Sequence, residues 1–230
     1  MGRTMRWTGA LAALAMAAPL AAQEARVSFA VLPFENSGSY GQDKESFAAL
    51  ELGIPATIAA SLAEHPGARV VDPSALRRSL RAKQADANRH IDAGTAAEVA
   101  KAAGARYVVT GSFADFYGKF RINARVVDAQ SGEILKVVSN DDPKLQDRAQ
   151  LGAVVQLVAE RIAGAAGLPP FPAESSARRR AVPANALTDF GRGLMFEDRG
   201  DRVKAAEAYQ RALSAYPDYA DARAGLARVR

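Results

Sequence analysis

Residues 106–139 hold three strand-length segments with almost nothing between them, and that spacing restricts the fold more than any other feature of the chain. The segments are RYVVTGSFADF (106–116), KFRINARVVDA (119–129) and EILKVVS (133–139), joined by Tyr117-Gly118 and Gln130-Ser131-Gly132. A link of two or three residues can only turn a strand back beside itself, because a parallel crossover needs about a dozen residues or more. In the middle segment Phe120, Ile122, Ala124 and Val126 alternate with Lys119, Arg121, Asn123 and Arg125. One face of that strand is therefore expected to be buried and the other solvated, as in an antiparallel sheet.

Upstream, RVSFAVLPF (26–34) is a near-continuous apolar run of strand length, stopped by Pro33 and a polar loop. From Phe47 the period changes: Phe47, Leu50, Ile54, Ile58 and Leu62 fall three or four apart, one face of a helix. Pro55, after Gly53, predicts a kink or break there, since proline lacks the backbone donor and clashes with the preceding turn. His65-Pro66-Gly67 ends this helix, and ARVVD (68–72) reads as a short buried strand. Asp72-Pro73-Ser74 opens a helix to about Lys83. Thr95, with Glu98 three residues later, is the expected N-cap of another, and Gly104 suits its C′ position. Asp142-Pro143 predicts the start of a long helix with stripe Leu151, Val154, Val155, Val158 and Ile162, ending near Gly167. The expected class is α/β (α+β): a mixed sheet of about five strands with packed helices over 26–166, long enough to close its own core.

The ends add two further parts. Arg3 and Arg6, the apolar run Thr8–Leu20 and the small residues Ala21 and Ala22 have the layout of a secretory signal peptide over 1–22. Its removal lowers the net charge from +5 by the two arginines it carries, to +3. No later segment approaches the roughly 20 apolar residues of a spanning helix. With no cysteine the chain has neither disulfides nor an acylation site, so a periplasmic protein that is not a lipoprotein is expected. Residues 167–185 contain Pro169, Pro170, Pro172 and Pro183 and are expected to form an extended linker, with Arg178, Arg179 and Arg180 solvated in it. A mild positive charge whose one basic run lies in a linker does not point to nucleic acid. Residues 186–230 read as alanine-rich helices broken at Arg199-Gly200-Asp201 and at Tyr216-Pro217.

Catalytic chemistry has few candidates. VLPFENSGSYGQDKES (31–46) has the strand–loop–helix rhythm of a phosphate-binding loop. Such a loop needs glycine before its lysine and Ser or Thr after it, so that backbone N–H groups turn onto the phosphates. Here Asp43 and Glu45 flank Lys44, and both carboxylates would repel a triphosphate. Asp141-Asp142 reads as a helix cap, no serine sits in a nucleophile elbow, and His65 and His90 fall in what read as exposed turns. No catalytic residue, cofactor or metal ligand is assigned. A nucleotide-binding enzyme using the 35–46 loop is the alternative from another class.

AVLPFEN (30–36), RVVD (69–72), AGARYVVTGS (103–112) and ARVVDAQSGEIL (124–135) resemble, in that order and spacing, the recurring blocks of TolB N-terminal-like domains. That group is similar to the curli secretion subunit and to the lipoprotein activators of penicillin-binding proteins. The resemblance covers about 26–166 and implies a non-enzymatic envelope domain that docks other proteins. The chain departs from those relatives in having no cysteine to acylate, and its strands are short for a membrane pore. Membrane contact is then expected only through a partner.

Residues 186–219 resemble a tetratricopeptide repeat at Gly193, Phe196, Gly200, Ala205, Tyr209, Ala212 and Pro217, with Arg192 and Asp189 where leucine and a large aromatic are usual. One repeat falls short of the roughly three such arrays need, so the hairpin must lean on something. The resemblance implies that its first helix presents Leu187, Phe190, Leu194, Glu197 and Asp198 to a partner. The same Leu187, Phe190 and Leu194 could instead be buried against the last helix. The expected role is a periplasmic scaffold for envelope proteins, with homo-oligomerisation open. The alternative within binding proteins is a subunit of an oligomeric export assembly in the outer membrane.

Overall fold

The computed structural model describes residues 26–39, 43–82, 91–141 and 143–230. The leader expected over 1–22, the cap Asp142 and His90 lie outside them. The apolar run at the start forms β1 (Val27–Asn36), and the amphipathic stretch after it forms α1 (Lys44–Glu64). The short strand β2 (Ala68–Val70) follows, then α2 (Pro73–Ala82) and α3 (Ala93–Ala102). The three segments with minimal turns are β3 (Tyr107–Phe116), β4 (Lys119–Asp128) and β5 (Ile134–Ser139). They make one mixed sheet of order β2-β1-β3-β4-β5, with β1 parallel to β2 and β3 and the β3–β4–β5 meander antiparallel. The remaining helices are α4 (Leu151–Ala165), α5 (Ala173–Arg180), α6 (Ala184–Asp198), α7 (Arg202–Ala215) and α8 (Ala220–Val229).

The β4 alternation has the expected consequence. Phe120, Ile122, Ala124 and Val126 are fully buried under α1 and α4, with Phe29, Phe34, Val109 and Phe113 of the neighbouring strands. On the other face a smaller cluster joins Ala30, Leu32, Val108 and Val127 to Leu76 and Leu80 of α2 and Val99 of α3.

The turn chemistry follows local rules. Gly104, at φ +72, closes α3: its N–H donates to Lys101 O and that of Ala105 to Ala100 O, the double bond of a Schellman end. The β3–β4 hairpin turns on Tyr117 (φ 53) and Gly118 (φ 88), the primed geometry that matches strand twist. Tyr117 adopts an unfavourable conformation and is 88% exposed, so it contributes little burial in return. Tyr117→Asn is expected to raise the denaturant midpoint by the equivalent of about 1 kcal/mol.

Several expectations change. Pro55 does not break α1, which runs unbroken for 21 residues. Leu50, Ile54, Ile58 and Leu62 are wholly buried against the sheet while Ala49 and Gly53 meet α6, and packing on both sides offsets the one missing donor. By length and composition α1 is also apolar enough to cross a membrane, contrary to the expectation that no such segment follows the leader. With 67% of its apolar window buried in the protein, it is a core helix. The cap of α3 is Asp92, whose carboxylate accepts from the Thr95 N–H (2.9 Å) and hydroxyl (2.8 Å), so Thr95 is inside the helix. At 143–150 two short 3-10 turns replace the first turns of the expected long helix, and α4 starts at Leu151.

The region expected to be an extended spacer carries a helix, α5. His65, far from exposed, is 1% accessible. Its Nδ1 accepts from the Gly67 N–H at 3.0 Å, so Nε2 carries the proton and donates to Pro169 O at 2.9 Å. The ring also stands edge-on to Phe171 at 5.0 Å, tying the proline stretch to the α1–β2 turn. Of the arginine triplet, Arg179 is buried between Glu64 (2.6 Å) and Asp221, while Arg180 pairs with Glu160 at 2.7 Å. Proline content predicts a missing donor, and it says nothing about neighbours able to fold the intervening residues against themselves.

Candidate functional site

The five side chains expected to face a partner lie on α6. Leu187 is fully buried beside Gly53 of α1, and Phe190 and Leu194 are 4% and 3% accessible. Phe190 packs on Tyr219 at 5.2 Å and on Tyr209 at 6.1 Å. Tyr209 is clamped between Gly193 and Gly225, where an added Cβ would fall 2.3 and 2.5 Å from its ring. Tyr219 donates to Thr57 Oγ1 at 3.3 Å, since that hydroxyl gives its own proton to Gly53 O. The face that would present these residues to a ligand is thus occupied by α1 and α8. Of the two arrangements open to Leu187, Phe190 and Leu194, burial is the one adopted: a single helix hairpin has too few neighbours of its own kind, and its apolar side chains close on α1 and α8.

The two acids are engaged as well. Asp198 pairs with Arg77 of α2 at 2.8 Å. Glu197 takes both Nε (2.9 Å) and Nη2 (3.0 Å) of Arg228 and the Tyr209 hydroxyl at 2.5 Å. Burial works against its charge, but these donors outweigh it and hold the carboxyl below its ordinary 4.5, while burial and the Glu197 charge push the Tyr209 hydroxyl far up. Stabilisation by Glu197 is therefore complete above that ordinary value and drains away as pH falls through the depressed folded one. Glu197→Gln is expected to cost about 1 kcal/mol near pH 7, the gap to the parent closing towards pH ~3 in denaturant titrations.

Phe190, Leu194 and Glu197 still touch open space. With Ala56, Ala60 and Ala63 of α1 they border a groove of about 320 Å³, rimmed by Arg77 and Arg228. Leu187 and Asp198 are not among its walls. Of the two residues that depart from the repeat pattern, Arg192 serves the α1–α6 contact and Asp189 ties it to α7. Arg192 reaches Ser46 Oγ (2.6 Å) and Glu45 (3.3 Å) of α1, and Asp189 holds both Arg192 and Arg211.

Residues 40–42 of the phosphate-loop alternative lie outside the described residues. Around them the amides are already used: Ser37 N–H donates to Phe113 O, and those of Gly38 and Ser39 to Asn36 Oδ1. Asp43 is bound by Arg148 at 3.2 Å, and Ser46 and Arg148 together hold its carboxyl below the ordinary value. Beside Glu35 a hollow of about 210 Å³ is walled by Thr110, Ser112 and Arg125. Among the described residues no three His, Asp or Glu side chains gather as metal ligands would.

A run of accessible apolar side chains lies elsewhere, on the edge strand. Ile134, Leu135 and Val137 of β5 are 48%, 48% and 58% exposed. One side of β5 pairs with β4, and among the described residues no strand pairs with its other side, because β5 ends the sheet. The opposite edge, β2, has only three residues. Arg125 pairs across from Val137, so both stand on the sheet face away from α1 and α4, and Arg121 shares that face. Sequence reasoning identified β5 as a strand and could not place it: ILKVVS looks the same at an edge and in the interior.

No family model matches the chain, and no curated protein matches it. Among solved structures it is similar to TolB from Acinetobacter baumannii at 20% identity and TM-score 0.40, covering 63% of this chain and 29% of that one. It is similar to lipoprotein GNA1162 from Neisseria meningitidis at 20% identity and TM-score 0.40, covering 60% and 96%. The LpoB C-terminal domain from Escherichia coli gives 17% identity and TM-score 0.38, covering 50% and 82%. The chain thus spans less than a third of the length of that TolB.

Proposed function

We propose that this chain is a non-enzymatic adaptor of the cell envelope, exported through its N-terminal leader, that docks protein partners on the free edge of its sheet. The carrying observation is β5: three half-exposed apolar side chains on a strand that no other strand pairs on its outer side among the described residues. Backbone groups that face water on an edge are a template for another strand, and exposed apolar side chains add area to bury when it arrives. In this reading the tetratricopeptide-like hairpin α6–α7 with α8 braces α1, and membrane contact comes through the partner. The sequence blocks shared with TolB N-terminal-like domains are the ground for assigning the envelope.

A photo-crosslinking residue placed at Val137 in the exported protein tests this. A discrete protein adduct is expected there and none from the same residue at Glu207, on the exposed side of α7. Adducts from Glu207 alone, or the same smear from both positions, would sink the proposal.

A further inference from the structure

We infer that the hollow beside Glu35 binds a small carboxylate, held by Arg125 and by the hydroxyls of Thr110 and Ser112. A bulge in β1 makes the room. Val31 pairs with Val109 and Phe34 with Gly111, so Leu32 and Pro33 together stand opposite the single residue Thr110. Pro33 brings no backbone donor to that gap. The hollow of about 210 Å³ that opens there has Pro33, Glu35 and Ile91 as further walls. Three of the four blocks singled out in the sequence meet at it. AVLPFEN supplies Pro33 and Glu35, AGARYVVTGS supplies Thr110 and Ser112, and ARVVDAQSGEIL supplies Arg125. Docking at β5 uses none of these five residues.

The donors around the hollow lack acceptors. The register sets Thr110 directly across from Arg125, so hydroxyl and guanidinium share one place on the sheet face away from α1 and α4. Ser112 follows two residues on, on the same face. Thr110 is only 6% exposed, Ser112 is half-buried and Arg125 is exposed. Among the described residues none of these three side chains has a hydrogen-bond or ion-pair partner. The neighbouring Ser37 hydroxyl, by contrast, already donates to Phe113 O at 3.1 Å. A nearly buried hydroxyl without a partner is costly, and beside a cation its natural acceptor is an anion.

Glu35 decides which anion. It pairs across from Ser112, two strands and two residues from Arg125, about 11 Å by strand spacing and rise. Its own carboxylate is engaged, yet it repels a doubly charged phosphate more than a singly charged carboxylate. The two coplanar oxygens of a carboxylate also match the guanidinium fork. Pro33 and Ile91 give the hollow an apolar side, which suits an acid with a short apolar tail. A free organic acid and the last residue of a peptide both carry that group.

NMR amide shifts of the full exported chain test this with butyrate, phosphate, and N-acetyl-Gly-Val as acid and as amide. Saturable shifts are expected over 34–37, 110–112 and 124–126 with both carboxylates, weaker ones with phosphate, and none with the amide. Arg125→Gln should weaken butyrate about ten-fold, and Thr110→Val about three-fold. Arg121→Gln, on the same strand and face but outside the hollow, should change it less than about two-fold, which separates the site from general surface charge. Arg125 is exposed, so its variant should keep the parent's melting temperature.

No saturable shift up to about 50 mM butyrate, against matched sodium chloride, overturns the inference. So does butyrate binding that survives Arg125→Gln, or an equal loss with Arg121→Gln. Phosphate binding tighter than butyrate overturns the carboxylate assignment. Tighter binding of the dipeptide acid than of butyrate supports the site with a peptide terminus as its source, and the reverse order supports it with a free acid.

Discussion

Gly191→Ala is expected to lower the stability of the protein by about 2–3 kcal/mol, and with it the melting temperature by about 5–10 °C. In the middle of a helix the substitution by itself would gain up to about 1 kcal/mol. Here the added Cβ would sit 2.3 Å from the carbonyl oxygen of Ala49 and 2.9 Å from its carbon. Both atoms are backbone, so no rotamer change relieves the contact and α6 must back away from α1. Gly53 lies opposite, its own Cβ position 3.2 Å from Gly191 Cα, so the two helices cross at a point where neither carries a side chain. Parting them loosens the seat of Leu187 and Phe190. Gly164→Ala in α4 is the control: nothing lies within 4 Å of its Cβ position, and a gain of about 0.5–1 kcal/mol is expected. A Gly191→Ala protein as stable as the parent would mean that α6 does not rest on α1 in this way.

Arg179→Ala should cost about 3 kcal/mol. The guanidinium is 8% exposed, and its partners Glu64 and Asp221 are 29% and 19% exposed. Burial works against its charge, but the Asp221 and Glu64 carboxylates outweigh it and the pKa rises, so Arg179 stays ionised throughout the working range. Its removal leaves two half-buried carboxylates facing each other without a cation. Chemical denaturation of parent and variant side by side at about pH 7 measures that loss. Arg179 joins α5 to α1 and α8, and the variant should also be cut faster by trypsin at Arg178 and Arg180 under native conditions. Equal cutting of parent and variant would show that α5 is open in both.

The sheet was largely legible. Two-residue and three-residue joints leave an antiparallel meander as the one geometry available to 106–139, and the β4 alternation tells its two faces apart. Gly104 likewise marks the end of α3, since the chain must take a left-handed turn there. The misreadings share a cause. Pro55, the proline-rich stretch 167–185 and His65 were judged by intrinsic preference, and each was decided by what packs against it. Pro55 survives inside α1 because two layers press on that helix. His65 is buried because Pro169 O and the Gly67 N–H meet its two nitrogens. The candidate site was less legible: Leu187, Phe190 and Leu194 form the same apolar stripe whether it faces a ligand or α1.

Local sequence thus determined the strands, their turns and the amphipathic faces, because backbone sterics and side-chain period act over a few residues. Tertiary structure alone decided that α6 docks on α1 through facing glycines, that Arg179 is an interior charge, and that β5 rather than β3 is left at the rim. Those outcomes depend on which surfaces meet across more than a hundred residues of chain, and no period or cap encodes that meeting.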